Sequence, residues 1–137
     1  LINCISRGHT GASGHGYIAW SVGYCCFNCV AYGNSQDGFN LDSNAGFGSF
    51  MVNCISEGNT GEGYSSDGVK CGVLLMNCAG YNNTGGDYSS TNITHVESFQ
   101  TLTGSPFTNA ASGDFSLNNT ASAGAACRAA GMGRDRR

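Results

Sequence analysis

Asn28-Cys29-Val30-Ala31-Tyr32-Gly33-Asn34-Ser35 is one of four related phrases in this chain, and their recurrence decides the fold. The others open with Asn3-Cys4-Ile5-Ser6, Asn53-Cys54-Ile55-Ser56 and Asn77-Cys78-Ala79-Gly80, so the Asn-to-Asn steps are 25, 25 and 24 residues. The likeness extends beyond these words. An apolar residue precedes each Asn: Ile2, Phe27, Val52 and Met76. Gly8, Gly33, Gly58 and Asn82 stand five residues after it, His9, Asn34, Asn59 and Asn83 six after, and Thr10, Ser35, Thr60 and Thr84 seven after. Eleven after it the last three repeats carry an aromatic, Phe39, Tyr64 and Tyr88; the first carries Tyr17, displaced by an insertion.

A fixed period of this length is the mark of a solenoid. A helical solenoid needs amphipathic stretches rich in Leu and Ala, whereas Gly and Asn interrupt this chain every few residues and break helices. Between them lie short runs of Val, Ile, Phe, Tyr and Cys, which read as strands. The expected fold is therefore all-β, a parallel β-helix (β-solenoid) of about five coils. The coils are placed at residues 1–25, 26–50, 51–75 and 76–100, with an irregular last coil and cap at 101–131 and a loose basic tail at 132–137. Neighbouring coils would lie about 4.8 Å apart, the spacing of paired strands. Like residues then stack into ladders: an amide ladder of Asn3, Asn28, Asn53 and Asn77, and a thiol ladder of Cys4, Cys29, Cys54 and Cys78.

At 137 residues the chain is one domain. Only 11% of residues are charged, 22 are Gly, and the net charge is −3. Low charge with abundant Gly, Asn, Ser and Thr suits an extracellular or cell-surface solenoid with amide- and hydroxyl-rich faces. An aromatic content of 10% argues against disorder. There is no basic stripe for nucleic acid and no apolar run long enough to span a membrane. The sequence opens at Leu1 inside a repeat, which reads as a fragment or a processed product. An uncapped first coil is expected to stack on further coils or on another copy of the chain.

Of the eight cysteines, the four in register read as free, buried thiols, because stacked side chains point the same way and a straight file does not converge on a metal. Cys25, Cys26, Cys71 and Cys127 lie off the ladder, and their pairing stays open. His15, Trp20 and Tyr64 are the candidate glycan contacts, with loop histidines and packed aromatics as the plainer reading. Asp37 and Glu62 share one position in their coils, as do Asp42 and Asp67. Stacked carboxylates repel unless a cation lies between them, so these four form a candidate Ca²⁺ set, against the alternative of solvated corners. Lys70, the one lysine, follows Asp67 closely and reads either as its ion-pair partner or as a catalytic base. Past residue 100 the period fails. Asp114-Phe115-Ser116-Leu117 reads as a last strand, and the Ala-rich stretch from Thr120 to Gly131 as a short helix, expected to cap the C-terminal end. Asn82, Asn92 and Asn118 begin glycosylation sequons.

The run at 28–40 resembles the coils of right-handed parallel β-helix proteins of the pectate-lyase-like superfamily, closest in flavour to polysaccharide lyase family nine and its secreted bacterial relatives. The closing segment from Asp114 to Gly131 is similar to the end of such proteins. The resemblance implies a secreted, right-handed β-helix. In family nine an Asp-Asp-Gly-aromatic-Asp motif holds calcium and a Lys of a later coil removes the proton for β-elimination. Here Gln36 stands for the first Asp and Asn40 for the last, so Asp37 alone matches as a carboxylate, with Lys70 in the place of the base. The sequence therefore favours an extracellular binding or structural module that contacts polysaccharide or stacks end to end on itself. The alternative is a calcium-dependent polysaccharide lyase using Lys70. Ice binding through Thr10, Ser35, Thr60 and Thr84 is disfavoured, because one hydroxyl per coil beside Gly marks a turn.

Overall fold

A computed structural model describes residues 1–19, 23–41, 48–66, 72–89, 93 and 95–130. Within them the chain winds as a parallel β-solenoid. Each coil contributes one short strand to each of three sheets. The first sheet stacks β1 (Ile5–Arg7), β4 (Val30–Tyr32), β7 (Ile55–Glu57), β10 (Ala79–Tyr81) and β13 (Gln100–Thr101). The second stacks β2 (Tyr17–Ile18), β5 (Phe39–Asn40), β8 (Glu62–Ser65) and β11 (Gly86–Tyr88). The third stacks β3 (Cys25–Phe27), β6 (Ser49–Val52), β9 (Val73–Met76) and β12 (His95–Glu97). Register follows the repeat: Ile5 pairs with Val30, Val30 with Ile55 and Ile55 with Ala79. Tyr17 pairs with Phe39, so the first coil carries its insertion between β1 and β2.

The corners explain the conserved letters of the repeat. Asn3, Asn28, Asn53 and Asn77 all adopt φ between 51° and 54°, and Ser98 takes the same conformation on the coil below. Five residues on, Gly8, Gly33 and Gly58 sit at φ 62–68° and Asn82 at 53°. Both turns of sheet 1 are thus left-handed, a backbone that Gly and Asn reach at least cost. The outer asparagines also form a rail: the Asn53 amide donates to Asn28 and that of Asn28 to Asn3, each at 3.2 Å.

The cysteines file one above another. The N–H groups of Val30, Ile55, Ala79 and Gln100 donate to the carbonyls of Cys4, Cys29, Cys54 and Cys78, each at 2.9 Å. Cys29, Cys54 and Cys78 have no exposed surface, and all four are free thiols, as are Cys25, Cys26 and Cys127. Burial pushes the thiols of Cys26 and Cys29 up, which keeps them protonated as small hydrophobes. Cys71 lies outside the described residues. Beside this file runs an aromatic one: Tyr17 on Phe39 at 4.8 Å and Phe39 on Tyr64 at 4.9 Å, both stacked. Phe99, in the place of the next Cys, meets Tyr64 and Tyr88 edge-on and ends the stack.

Met51, Val73 and Leu75 fill the interior on the side of sheet 3, and a polar ladder runs through the rest. Asn34, Asn59 and Asn83 are buried; Asn34 donates to Asn59 at 2.8 Å and Asn59 to Asn83 at 2.9 Å, while Asn83 donates back to the Ser56 carbonyl at 3.0 Å. The same oxygens accept backbone N–H groups from the coil before: His9 to Asn34, Asn34 to Asn59 and Asn59 to Asn83. This ladder leaves no room opposite it. A Cβ on Gly63 would meet the Asp87 carbonyl at 2.4 Å and the Asn83 amide at 2.9 Å.

Two features differ from the sequence expectation. All three sheets repeat across three coil-to-coil steps, from the β1–β3 rung to the β10–β12 rung, so the solenoid makes about three turns instead of five. β13 extends the first sheet only. The chain then forms an antiparallel hairpin, β14 (Phe107–Asn109) and β15 (Asp114–Leu117), joined by a 3-10 turn at Ala110–Ser112. This hairpin and the helix α1 (Gly124–Ala130) lie along the outer face of sheet 1, where a cap over the C-terminal end was expected. Arg7 of the first coil donates to the Ala110 carbonyl at 3.1 Å, and Phe115 meets Tyr32 edge-on at 5.5 Å. The reason is the apolar outer face of that sheet: Ile55, Ala79, Leu102, Phe107 and Ala110 bury one another there. Residues 132–137 lie outside the described residues.

The two amide ladders differ in burial and so in worth. Asn59→Ala should cost about 2 kcal/mol, because it strands buried partners on both neighbouring coils. Asn53→Gly, which keeps the left-handed corner and removes an amide of the outer rail, should cost under about 1 kcal/mol. Urea unfolding of the two variants checks the order.

Candidate functional site

The carboxylate corner singled out in the sequence is only partly within the described residues. Asp42, Asp67, Lys70 and Trp20 lie outside them. Of the carboxylate set Asp37 and Glu62 remain, and the Asp37 side chain meets the Glu62 backbone and His15, a candidate glycan contact, where the coils enter sheet 2. Asp37 Oδ1 accepts the backbone N–H of Glu62 at 2.8 Å, and Oδ2 accepts the Asn40 amide at 2.9 Å. His15 Nδ1 lies 3.3 Å from that Oδ2 and 3.3 Å from the Asp37 N–H. A neutral Nδ1 accepts the N–H; a protonated one donates to the carboxylate. Asp37 therefore ties its coil to the next through Oδ1 and braces its own turn through Oδ2. Among the described residues no three His, Cys, Asp or Glu side chains converge to hold a metal ion.

Tyr64 is not at a surface where it could meet a glycan. It is fully buried in the aromatic file, and its hydroxyl donates to the Cys54 carbonyl at 2.8 Å with the Ala79 carbonyl at 3.2 Å. An aromatic in every coil at one position is a core column, and that periodicity outranks its resemblance to a sugar platform. His15 is largely buried at the Asp37 corner.

A different site arises on the flank. The hairpin stands away from the corner between sheets 3 and 1 and leaves a groove of about 320 Å³. One wall is the outer amide rail, Asn28, Asn53 and Asn77. The floor is Val30, Ile55 and Ala79, the outward column of sheet 1, with Gln100 below. The far wall is Phe107, Phe115 and Leu117 of the hairpin with Cys127, Arg128 and Ala130 of α1. Burial raises the Cys127 thiol to about 11, so it lines the wall as an unreactive thiol. Arg128 is held in place: Nη1 donates to the Leu117 carbonyl at 2.9 Å and Nη2 to Asn119 Oδ1 at 2.7 Å. Among the described residues no Asp or Glu lines the groove.

Among the described residues this arrangement offers amide donors and acceptors at coil spacing, an apolar floor, ring edges and the Arg128 cation. Such groups suit recognition of a ligand by hydrogen bonds, apolar contact and charge. Sequence reasoning marked the asparagines as a structural rail and missed the groove, because its other wall belongs to a hairpin that occurs once and leaves no periodic trace. The chain matches no family model, no curated protein and no solved structure, so the fold stands on its own geometry.

One buried acid sits under the segment that leads into the hairpin. Glu57 is 6% exposed, in register between Tyr32 and Tyr81, and accepts the Ser105 hydroxyl at 3.1 Å. Burial raises its carboxyl above the ordinary range, and the Ser105 bond only partly opposes this. The folded chain thus holds this proton longer than the unfolded chain. Its penalty is absent below the ordinary carboxylate range and appears as pH rises through the raised value. Glu57→Gln should therefore raise the melting temperature at neutral pH and leave it unchanged near about pH 3, below the ordinary carboxylate range. Paired thermal melts at the two pH values check the sign.

Proposed function

We propose that this chain is a non-catalytic binding module, of a secreted or cell-surface kind, that holds a polysaccharide in the groove beside its amide rail. The carrying observation is the groove itself: three asparagines one coil apart, facing the aromatic side chains of Phe107 and Phe115 across an apolar floor. Sugar rings present hydroxyls at their rims and C–H groups on their faces. Amides exchange hydrogen bonds with the first, and apolar and aromatic surfaces cover the second. The rail runs along the solenoid axis, so it suits a chain of repeating units better than a single small molecule. The low charge of the protein, 11% of residues, fits a ligand bound through neutral polar contacts.

A lyase reading is less well supported. Asp37, the carboxylate that matches the lyase pattern, is committed to the Glu62 N–H and the Asn40 amide. A cation would have to compete with both bonds.

The test is affinity electrophoresis through gels containing a panel of neutral and acidic polysaccharides. The wild-type protein should be retarded by at least one of them. Asn53→Gly should weaken that retardation about tenfold, the worth of roughly one lost hydrogen bond to a ligand. Ile18→Ala, on the second sheet, should leave it unchanged. Retardation by no member of the panel, or equal retardation of Asn53→Gly, removes the reading.

A further inference from the structure

Among the described residues the groove carries one formal charge, with no carboxylate lining it. Arg128 contributes the guanidinium, and the rest of the described lining is amide, thiol or apolar. The chain as a whole is negative, at −3, so this local cation runs against the overall charge. It is also oriented. Two of its five N–H donors are tied to the Leu117 carbonyl and to Asn119, which fixes the plane of the fork at the groove wall. A guanidinium so positioned keeps donors available in the fork geometry that matches a carboxylate or sulfate, and its orientation entropy is already lost.

Resting on the glycan reading of the groove, we propose that the ligand is a polysaccharide with an anionic substituent, carboxylate or sulfate, and that Arg128 reads that charge directly. No bridging cation is required. Asn28, Asn53 and Asn77 bind the uncharged units along the rail, and Arg128 sets the preference for charged over neutral chains. This separates the groove from the carboxylate corner at Asp37, which lies on a different sheet and could meet an anion only through a cation.

The experiment compares neutral dextran, carboxymethyl-dextran and dextran sulfate as gel-phase ligands, with EDTA present throughout. Polyacrylate serves as an anionic polymer without sugar. The expected result is about tenfold stronger retardation by one or both charged dextrans than by dextran, in line with one charge-assisted hydrogen bond. Arg128→Gln should abolish that preference, and Arg128→Lys should retain part of it, while the melting temperature of each variant shows that the fold is intact. Retardation by dextran sulfate alone identifies sulfate as the group, and by carboxymethyl-dextran alone carboxylate. Equal retardation by neutral and charged dextrans, or no retardation by any, overturns the proposal, as does a charge preference that survives Arg128→Gln or appears only with calcium. If polyacrylate is retained as well as the charged dextrans and Arg128→Gln releases all of them, the anion site stands and the glycan reading falls.

Discussion

A buried primary amide is tolerable only when its oxygen and both N–H groups find partners, and each one left unpaired costs on the order of 1–3 kcal/mol. The solenoid meets this demand by repetition. Asn34 donates to Asn59, Asn59 donates to Asn83, and each receiving oxygen also takes a backbone N–H from the coil before. The chain closes inside the protein through Ser56, whose hydroxyl accepts an Asn59 N–H and whose carbonyl accepts one from Asn83. A slip of one residue in any coil would strand several of these groups at once. Hydrophobic stacking alone would not discriminate so sharply, because cysteine and aromatic files tolerate small offsets. The polar ladder therefore sets the register, and the apolar files fill the space around it.

That constraint propagates outward. The ladder presses on the opposite wall, which is why Gly16, Gly38 and Gly63 face it, each too close to a neighbouring carbonyl or amide for a Cβ. In the fourth coil the arrangement is exchanged: Gly80 replaces the Ser56 position in β10, and Asp87 fills the place of Gly63, its carboxylate lying where a Cβ on Gly80 would stand. With register fixed, the asparagines of the outer corner come into line, and the outward column of Val30, Ile55 and Ala79 forms a flat apolar strip beside them. That strip attracts the hairpin and helix to the flank, and the space between hairpin and rail becomes the groove. Recognition on the outside thus depends on hydrogen bonding within.

The parts of this chain were unequally legible. Whatever recurs every 25 residues could be read directly: the coil, the corners, the file of Cys4, Cys29, Cys54 and Cys78, and the Asn rail. The inner ladder was visible as a column, yet nothing in single letters distinguishes a buried Asn from a turn Asn; both prefer corners, and only packing separates Asn59 from Asn53. Tyr64 misled because an aromatic is equally suited to a core stack and a sugar face. The hairpin was half seen, since Asp114–Leu117 reads as a strand but its antiparallel partner carries no repeat signal. Its strand-like appearance also inflated the number of coils. The groove depends on that hairpin, so its far wall, with Phe107, Phe115 and Arg128, had no signature in sequence. Of what the pectate-lyase-like resemblance implied, the parallel β-solenoid is present; the Asp37 corner, with its carboxylate tied to backbone and amide, gives the resemblance little footing in chemistry.

Side-chain amide exchange measured by NMR tests the central claim most directly. If the inner ladder sets the register, the Nδ2 protons of Asn34 and Asn59 exchange with solvent far more slowly than those of the exposed Asn28 and show contacts to each other across one coil. Fast exchange at Asn59, equal to that at Asn28, would mean that the interior amides face water and that this register is wrong.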